Sequence, residues 1–192
     1  MASLRERNRS RTRADIESAA IELFEQHGYA DTTVEQIARR AGVSPATFFR
    51  HFGSKEEVLF VNEQDAVDGL VKLVAERTDL RRNLEALAAP IAAFAHTYLH
   101  DADAVTQRVT RLVMTTRDLE SRSMRMRLRW EHALTKQLAT ETGATEISGP
   151  DVLLSNLAIG CLAAALWQWQ RAAGEVDIQD ETKTMFERAI AG

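Results

Sequence analysis

The chain contains few of the residues that cross-link small folds or interrupt regular structure. Its 192 residues include one cysteine, three prolines and nine glycines. A single cysteine excludes an internal disulfide and suits a reducing compartment. Few β-branched runs and abundant Ala, Leu, Glu and Arg favour helices. We therefore expect an all-α protein, in which Cys161, within the apolar run AIGCLAAAL, is a buried small hydrophobe.

Long apolar runs and enzyme motifs are also missing. No uninterrupted apolar stretch reaches about 18 residues, so no membrane span is expected. The arginine-rich N-terminus lacks the apolar segment of a signal peptide. We find no Gly-rich phosphate loop and no nucleophile–base pattern, and His96 with His100, four residues apart, make only a weak metal pair. These absences predict a cytoplasmic protein that is not an enzyme and uses no cofactor or metal.

Positive charge is concentrated in two places, although the net charge is −4. Residues 1–13 carry five Arg and one Glu, and residues 105–137 carry eight basic and three acidic side chains. Such segregation matters more for nucleic-acid binding than the total. Residues 1–10 lack periodicity, so we expect a flexible arm, which is either a solvated tail or a basic arm that reaches DNA.

The next segment predicts a helix that supports a second, shorter one. The first helix should run from about Thr12, as its cap, to His27, with apolar side chains on one face. Gly28 should end it in a left-handed conformation, and Tyr29 should fold back against it. The second helix should begin at Thr32 or Thr33, because a Glu or Gln follows each by three residues.

A tight turn and a third helix follow. Gly42 should make the turn, Ser44 should cap the third helix, and Pro45 suits its first position. Phe48 and Phe52 are four residues apart and are expected in the core, and Gly53 should end the helix. Two short helices around a tight turn form a helix-turn-helix, which places one helix in a DNA groove. The outward or flanking positions are Pro45, Ala46, Thr47, Phe49, Arg50 and His51.

The segments Phe24–Tyr29 (FEQHGY) and Thr32–Leu59 (TTVEQIARRAGVSPATFFRHFGSKEEVL) resemble the DNA-binding domain of the TetR family of bacterial transcriptional regulators. The resemblance covers about 50 residues and implies an all-helical homodimer of about nine helices. We expect the basic arm over residues 1–11, followed, as the resemblance implies, by a helix-turn-helix domain over 12–53 and a ligand-binding and dimerisation domain over 54–192.

The predicted DNA contacts come from the basic arm and from the matching motif positions. They are Arg9, Arg11, Arg13, Thr33, Ser44, Ala46, Thr47, Phe49, Arg50, His51 and Lys55. By resemblance, Thr33 and Lys55 hold phosphates at helix N-termini. The family often has a phosphate-binding tyrosine where Phe49 stands, and Phe49 cannot make that bond. Arg50 contacts either a guanine or a phosphate.

The rest of the chain predicts further helices with a pocket and a dimer interface. The expected helices are Ser54–Arg77, Arg82–His100 with a kink or break at Pro90, Ala104–Thr115 capped by Asp101 or Asp103, Leu119–Glu141, one from Ser148 or Asp151 to Ala173 that Gly174 closes, and Gln179–Ala191. Candidate pocket residues are Phe94, Tyr98, Leu112, Met114, Arg122, Arg125, Met126, Arg129, Trp130 and Trp167. The expected dimer contacts are Leu153, Leu157, Gly160, Ala164, Phe186 and Ile190, with burial in a monomer core as the alternative.

Two alternatives concern the function of this second part. One basic stripe forms either a solvated face or a site for an anionic ligand, and its members are Arg122, Arg125, Arg129, His132 and Lys136. The whole chain is expected to be a homodimeric repressor that a small, largely apolar ligand releases from a palindromic operator. The alternatives are a DNA-binding regulator without an effector, or an activator that a protein partner controls.

Overall fold

A computed structural model describes residues 4–100, 104–143, 146–172 and 175–192. Over these residues the chain is all-α, as predicted, and no strand is present. The helices are α1 (Leu4–His27), α2 (Val34–Arg40), α3 (Pro45–His51), α4 (Glu63–Ala75), α5 (Leu84–Phe94), α6 (Ala104–Thr115), α7 (Glu120–Glu141), α8 (Gly149–Arg171) and α9 (Ile178–Ala191).

The helices divide between two compact units. The first comprises Met1–Val61 and Arg108–Glu120, and the second comprises Asn62–Gln107 and Ser121–Gly192. In the first unit, α1 packs against α2, and α2 packs against α3. The buried apolar residues of these helices are Ile16, Ala19, Ala20, Ile21, Phe24, Ile37, Ala38 and Phe48, and Phe52 follows α3. Phe48 and Phe52 therefore occupy the core, as predicted, and each ring contributes about 1.5–3 kcal/mol by its burial.

Capping interactions explain why these short helices begin and end where they do. Gly28 ends α1 with φ of 86°, and the ring of Tyr29 folds back to 5.1 Å from that of Phe24. Thr33 caps α2 in a reciprocal capping box with Gln36, whose side chain accepts from the Thr33 amide at 2.7 Å. Thr33, and not Thr32, is thus the cap. These features agree with the sequence predictions.

The turn between α2 and α3 depends on a left-handed glycine. Gly42 has φ of 69°, where a side chain would be strained. The amide of Val43 donates to the carbonyl of Ala38 at 2.9 Å, and that of Gly42 donates to Arg39 at 3.2 Å. This pair of bonds satisfies carbonyls at the end of α2, and it directs the chain into α3.

The start of α1 differs from the prediction. Residues 4–11 are helical and continue into the rest of α1, so the segment is not a flexible arm. Thr12 does not cap a helix; its hydroxyl donates to the carbonyl of Asn8 at 2.9 Å inside α1. Arginine is a good helix former and no Pro or Gly interrupts residues 4–27. The lack of an apolar stripe in residues 1–10 therefore did not indicate where α1 begins.

Two other helix predictions were also wrong in detail. The segment expected as one helix over Ser54–Arg77 contains a short 3-10 turn at Glu57–Phe60, a break, and then α4. The predicted break at Pro90 does not occur, because α5 continues to Phe94 and a π-helix over Ala95–His100 follows; the alternative, a kink, stays a prediction. Proline leaves one carbonyl without its helical donor but does not prevent continuation when packing supports the helix.

In the second unit α8 packs against α9 and α5, α5 packs against α9, and α4 packs against α5. Ser148 caps α8 in a capping box with Asp151, as one predicted alternative required. The bounds of α6, α7 and α9 lie within one residue of those predicted. The predicted caps at Asp101 and Asp103 and the predicted end at Gly174 lie outside the described residues. Cys161 is buried, which raises the pKa of its thiol.

α8 is the one helix of the described chain that is long and apolar enough to cross a membrane by length and composition. The expectation of no membrane span counted uninterrupted apolar residues, whereas the mean hydropathy of α8 also includes its polar positions. One such helix is weak evidence, since the core helix of a soluble protein meets the same criterion. One side of α8 is buried within its unit, including Ile159, Leu162 and Trp169.

Candidate nucleic-acid interface

α3 presents a face that its own unit does not cover. Phe48 is fully buried, whereas the neighbouring ring of Phe49 is 54% exposed and meets Phe48 edge-on with centroids 5.5 Å apart. The hydroxyl of Ser44 caps the helix by accepting from the amide of Thr47 at 3.1 Å. Ser44, Pro45, Ala46 and Arg50 are exposed, and Thr47 and His51 are half-buried. A large exposed aromatic ring beside small residues is typical of a contact surface.

The N-terminal half of α1 extends this face. A cleft of about 600 Å³ is lined by Asn8, Arg9 and Thr12 of α1 and by Arg50 and His51 of α3. Arg13 follows Arg9 by one helical turn, and its guanidinium lies 5.5 Å from the centre of the Phe52 ring. Arg11 lies about 200° around the axis of α1 from Arg9. It is therefore on a different side of the helix from the cleft.

His51 has an unusual electrostatic environment for an imidazole near the surface. Partial burial lowers its pKa, and the positive charges of Arg50, Arg9 and Arg13 lower it further. The imidazole is therefore neutral at pH 7 in the isolated protein, because its ordinary pKa is already 6.5. An anion placed in the cleft would oppose this effect.

Lys55 differs from its predicted role as a phosphate ligand. Its ammonium group donates to the carbonyls of Tyr29 at 2.6 Å, Ala30 at 3.2 Å and Thr32 at 2.8 Å. It also lies 4.4 Å from the centre of the Tyr29 ring. An ammonium has three donors, and these three bonds use them. The Lys55 side chain thus holds the loop that precedes α2. The carbonyls of this loop are more than 20 residues from Lys55 in sequence, so no local sequence pattern predicts these bonds.

Within the second unit, three of the predicted pocket residues come together. The ring of Phe94 stacks on that of Tyr98 at 5.5 Å and meets the Trp130 indole edge-on at 5.4 Å. A side chain at Gly69 would overlap the Tyr98 ring, so glycine gives this ring its space. Within the described chain, the buried Trp130 Nε1 has no hydrogen-bond partner. Met126 is half-buried on α7.

Six other pocket predictions do not fit this cluster. Trp167 is 53% exposed, and Arg171 lies 4.7 Å from its ring centre. Leu112 and Met114 belong to the first unit. Arg122 forms a bidentate pair with the buried carboxylate of Glu63 at 2.5 and 3.0 Å, and Arg129 bonds Glu63 at 3.0 Å and Gln64 at 2.6 Å. Arg125, also predicted for the pocket, is exposed.

The predicted dimer surface is partly exposed within one chain. Leu153, Leu157 and Ala164 lie on the exposed side of α8, Gly160 is half-buried there, and Trp167 continues the same stripe. On α9, Ile190 is exposed, but Phe186 is fully buried in the core of its own unit. Phe186 was therefore assigned to the wrong face of α9, because a helix that packs on two others buries most of its large side chains internally.

The first unit combines a short capped helix, a supporting helix and a cationic cleft, and these features define a helix-turn-helix DNA-binding protein. The family model described as "Bacterial regulatory proteins, tetR family" matches residues 16–61. Over 168 residues, the chain is 30% identical to the protein named "Putative mycofactocin biosynthesis transcriptional regulator MftR" of Mycobacterium tuberculosis, covering 86% of this chain and 83% of that protein. The chain belongs to the TetR family of bacterial transcriptional regulators, as its motif predicted.

Solved structures share the fold at lower sequence identity. SmeT, the efflux-pump repressor of Stenotrophomonas maltophilia, in complex with triclosan, matches with a TM-score of 0.67 at 20% identity over 94% of this chain and 90% of that one. FadR of Thermus thermophilus, in complex with lauroyl-CoA, matches with a TM-score of 0.57 at 20% identity over 93% of each chain. These structures show the shared fold, and membership of the family makes the chain a DNA-binding transcriptional regulator.

Proposed function

We propose that this regulator is a homodimeric repressor that inserts α3 into the major groove of a palindromic operator and is released by a small, largely apolar ligand. In this proposal, the first unit binds DNA, and the second unit dimerises and binds the ligand. No catalytic residue, cofactor or metal takes part. The observation that carries the proposal is the outward face of α3, where exposed Phe49 and Arg50 have no role in the core.

The DNA contacts that we propose are those with exposed or half-buried side chains around α3. Ser44, Ala46 and Thr47 are small and let the backbone approach the base edges. Phe49 contacts a thymine methyl or a sugar, and Arg50 contacts a guanine or a phosphate. Thr33 accepts from the amide of Gln36 at 3.2 Å and retains its hydroxyl proton for a phosphate. The proposal excludes the Lys55 side chain, whose donors are used, and Arg11, which lies away from the cleft.

Dimerisation would use the apolar stripe on α8. Leu153 and Leu157 are 61% and 45% exposed, and Trp167 is 53% exposed on the same side. Gly160 and Ala164 between them would allow a second helix to approach closely. A stripe of this kind on one helix is costly to leave in water and suits a second copy of the chain. Ile190 of α9 adds a further exposed apolar side chain.

Sedimentation velocity on Leu157→Glu tests the dimer. We expect this substitution to dissociate it, because it would place a carboxylate in the apolar contact. Leu80→Glu is the matched control, since Leu80 is 67% exposed outside the helices of the same unit. A dimer that survives Leu157→Glu, or that Leu80→Glu dissociates equally, would contradict this interface.

The aromatic cluster and the ion pairs of the second unit favour an apolar effector over an anionic one. Phe94, Tyr98 and Trp130 supply apolar and polarisable surface, and the buried Trp130 Nε1 supplies one hydrogen-bond donor for a polar atom of the ligand. Arg122 and Arg129 would have to leave Glu63 before they could bind an anion.

The function is tested by selecting bound duplexes from a random-sequence library and then adding two probes. We expect a palindrome with half-sites about 34–36 Å apart. Two probes distinguish the ligand classes. Triclosan has an apolar body and is uncharged below the pKa of its phenol, whereas lauroyl-CoA is anionic. Release by triclosan alone supports the proposal, and release by lauroyl-CoA alone overturns the apolar preference. Failure to enrich any duplex overturns the DNA-binding assignment of α3.

A further inference from the structure

The cleft between α1 and α3 has a composition suited to an anion. Arg9 and Arg50 lie on opposite walls, with His51 beside Arg50, and Asn8 and Thr12 complete the lining. Asn8 contributes an amide whose N–H groups can donate. The Thr12 hydroxyl donates its proton to the Asn8 carbonyl within α1. Thr12 therefore lines the cleft without donating a hydrogen bond to an anion.

The cations of the cleft differ from two other arginines of the same unit, which are paired with carboxylates. Arg40 pairs with Glu22 at 2.6 Å, and Arg108 pairs with Glu25 at 2.5 Å. Among the described residues, no carboxylate pairs with Arg9 or Arg50. Arg9, Arg13 and Arg50 therefore all lower the pKa of His51, and no carboxylate of the described residues is among the groups that shift it.

We propose that this cleft binds one phosphate of the DNA backbone and that His51 takes up a proton when the phosphate enters. The inference rests on the proposed function, because it assigns the phosphate to the same DNA that α3 contacts. It adds Asn8 to the contact set and makes the helical start of α1 a wall of the binding site.

The proton uptake follows from the charges that act on His51. In the free protein, Arg50 of the same helix and Arg9 and Arg13 of α1 disfavour a fourth positive charge. A phosphate brings a negative charge among them and favours the imidazolium, which also becomes a donor to the phosphate. The pKa of His51 is therefore higher in the complex than in the free protein. Binding then tightens as pH falls through the interval between these two pKa values.

The first experiment measures the dissociation constant of a selected duplex by fluorescence anisotropy between pH 5.5 and 8.5 at constant ionic strength. For the unmodified protein we expect about three- to tenfold tighter binding at pH 6 than at pH 8, with a slope of at most tenfold per pH unit. His51→Gln should remove most of this dependence. His27→Gln is the matched control, because His27 is exposed at the other end of α1 and should leave the dependence unchanged.

The second experiment compares two arginines on different sides of α1. Arg9→Gln should lower the slope of log K against log salt by about 1, because one phosphate contact is lost, and should reduce the pH dependence. Arg11→Gln should change the pH dependence little, since Arg11 lies outside the cleft.

The outcomes separate this inference from the proposed function. If binding to the selected duplex is equally tight at all pH values, or if His51→Gln and His27→Gln have the same pH dependence, the cleft proposal is overturned while DNA binding stands. If no duplex is bound at any pH, the proposed function itself is overturned. NMR titration of the His51 imidazole must also show a higher pKa in the complex, and an equal or lower value contradicts the inference.

Discussion

The arginines of the α1–α3 cleft and those of α7 have opposite electrostatic surroundings. Around α3, Arg9 and Arg50 face a cleft without a paired carboxylate among the described residues. On α7, Arg122 and Arg129 converge on Glu63, which is 7% exposed. Both groups stand out in the sequence as concentrated positive charge. The difference shows that an arginine is available to a partner only when the fold brings no carboxylate to it.

The α7 cluster also explains why its arginines are held in place. Burial by itself raises the pKa of Glu63, but the hydrogen bonds and charges of Arg122 and Arg129 outweigh it, and the net pKa is below the ordinary value. A buried carboxylate is stable only with such partners. Arg122 and Arg129 therefore stabilise the second unit, whereas for the cleft arginines we propose DNA binding.

The largest expected effect is on stability, in Glu63→Gln. The variant should lose about 2–3 kcal/mol of unfolding free energy at pH 7, because it leaves two arginines without their carboxylate; partial exposure of Arg129 reduces the cost. Urea denaturation measures this loss. Asp65→Asn, an exposed carboxylate on α4, is the control and should change little.

The pH dependence of the same variant gives the sign of the Glu63 contribution. A carboxylate whose folded-state pKa is depressed stabilises the protein above its ordinary value of 4.5, and this stabilisation is lost as pH falls through the lower folded-state pKa. The stability gap between the unmodified protein and Glu63→Gln should thus narrow below pH 4.5. A gap that is constant from pH 7 to pH 3 would contradict the ion-pair account.

Arg50→Ala should have the next largest effect, on DNA binding. We expect specific binding to weaken by about 1–3 kcal/mol. If Arg50 contacts a base, the preference at one base pair is also lost; if it contacts a phosphate, all sequences weaken equally. Anisotropy titrations against single-substitution operators separate these cases. Unchanged affinity for every duplex would remove Arg50 from the interface.

Lys55→Met tests whether the Lys55 ammonium group stabilises the fold and does not bind DNA. We expect a loss of about 1–2 kcal/mol of unfolding free energy, because three carbonyls of the loop before α2 lose a charged donor. The salt dependence of DNA binding should stay the same in the folded variant. A decrease of about 1 in the slope of log K against log salt would instead show that the Lys55 side chain contacts a phosphate.

Phe49→Tyr should have the smallest effect. Phe49 is more than half exposed, so the added hydroxyl meets no buried surface in the free protein. We expect binding to stay the same or to tighten by less than about 1 kcal/mol, as one new phosphate hydrogen bond allows. A tenfold loss of affinity would mean that the ring edge packs closely against a base.

Local chemistry was predictable from the sequence where the partners are near neighbours in the chain. The Thr33–Gln36 capping box, the left-handed Gly28 and the burial of Phe48 and Phe52 depend on spacings of three or four residues. The family motif depends on the same spacings, which is why its match identifies the family and its fold.

Contacts between distant segments were not predictable in this way. Nothing near Lys55 in sequence indicates that the carbonyl of Thr32 binds it, and nothing near Arg122 indicates Glu63. The face of a largely apolar helix was a further ambiguity. Apolar residues occur on most sides of α8, and only packing against α5 and α9 determines that the Trp169 side is buried and the Trp167 side exposed.

The salt dependence of operator binding, measured on arginine-to-glutamine variants of both clusters, tests the central claim most directly. The account predicts that Arg9→Gln and Arg50→Gln each lower the slope of log K against log salt by about 1. It predicts that Arg122→Gln leaves the slope unchanged, since Glu63 neutralises that arginine in the folded protein. An equal decrease for all three variants, or a decrease for Arg122→Gln alone, would contradict the account.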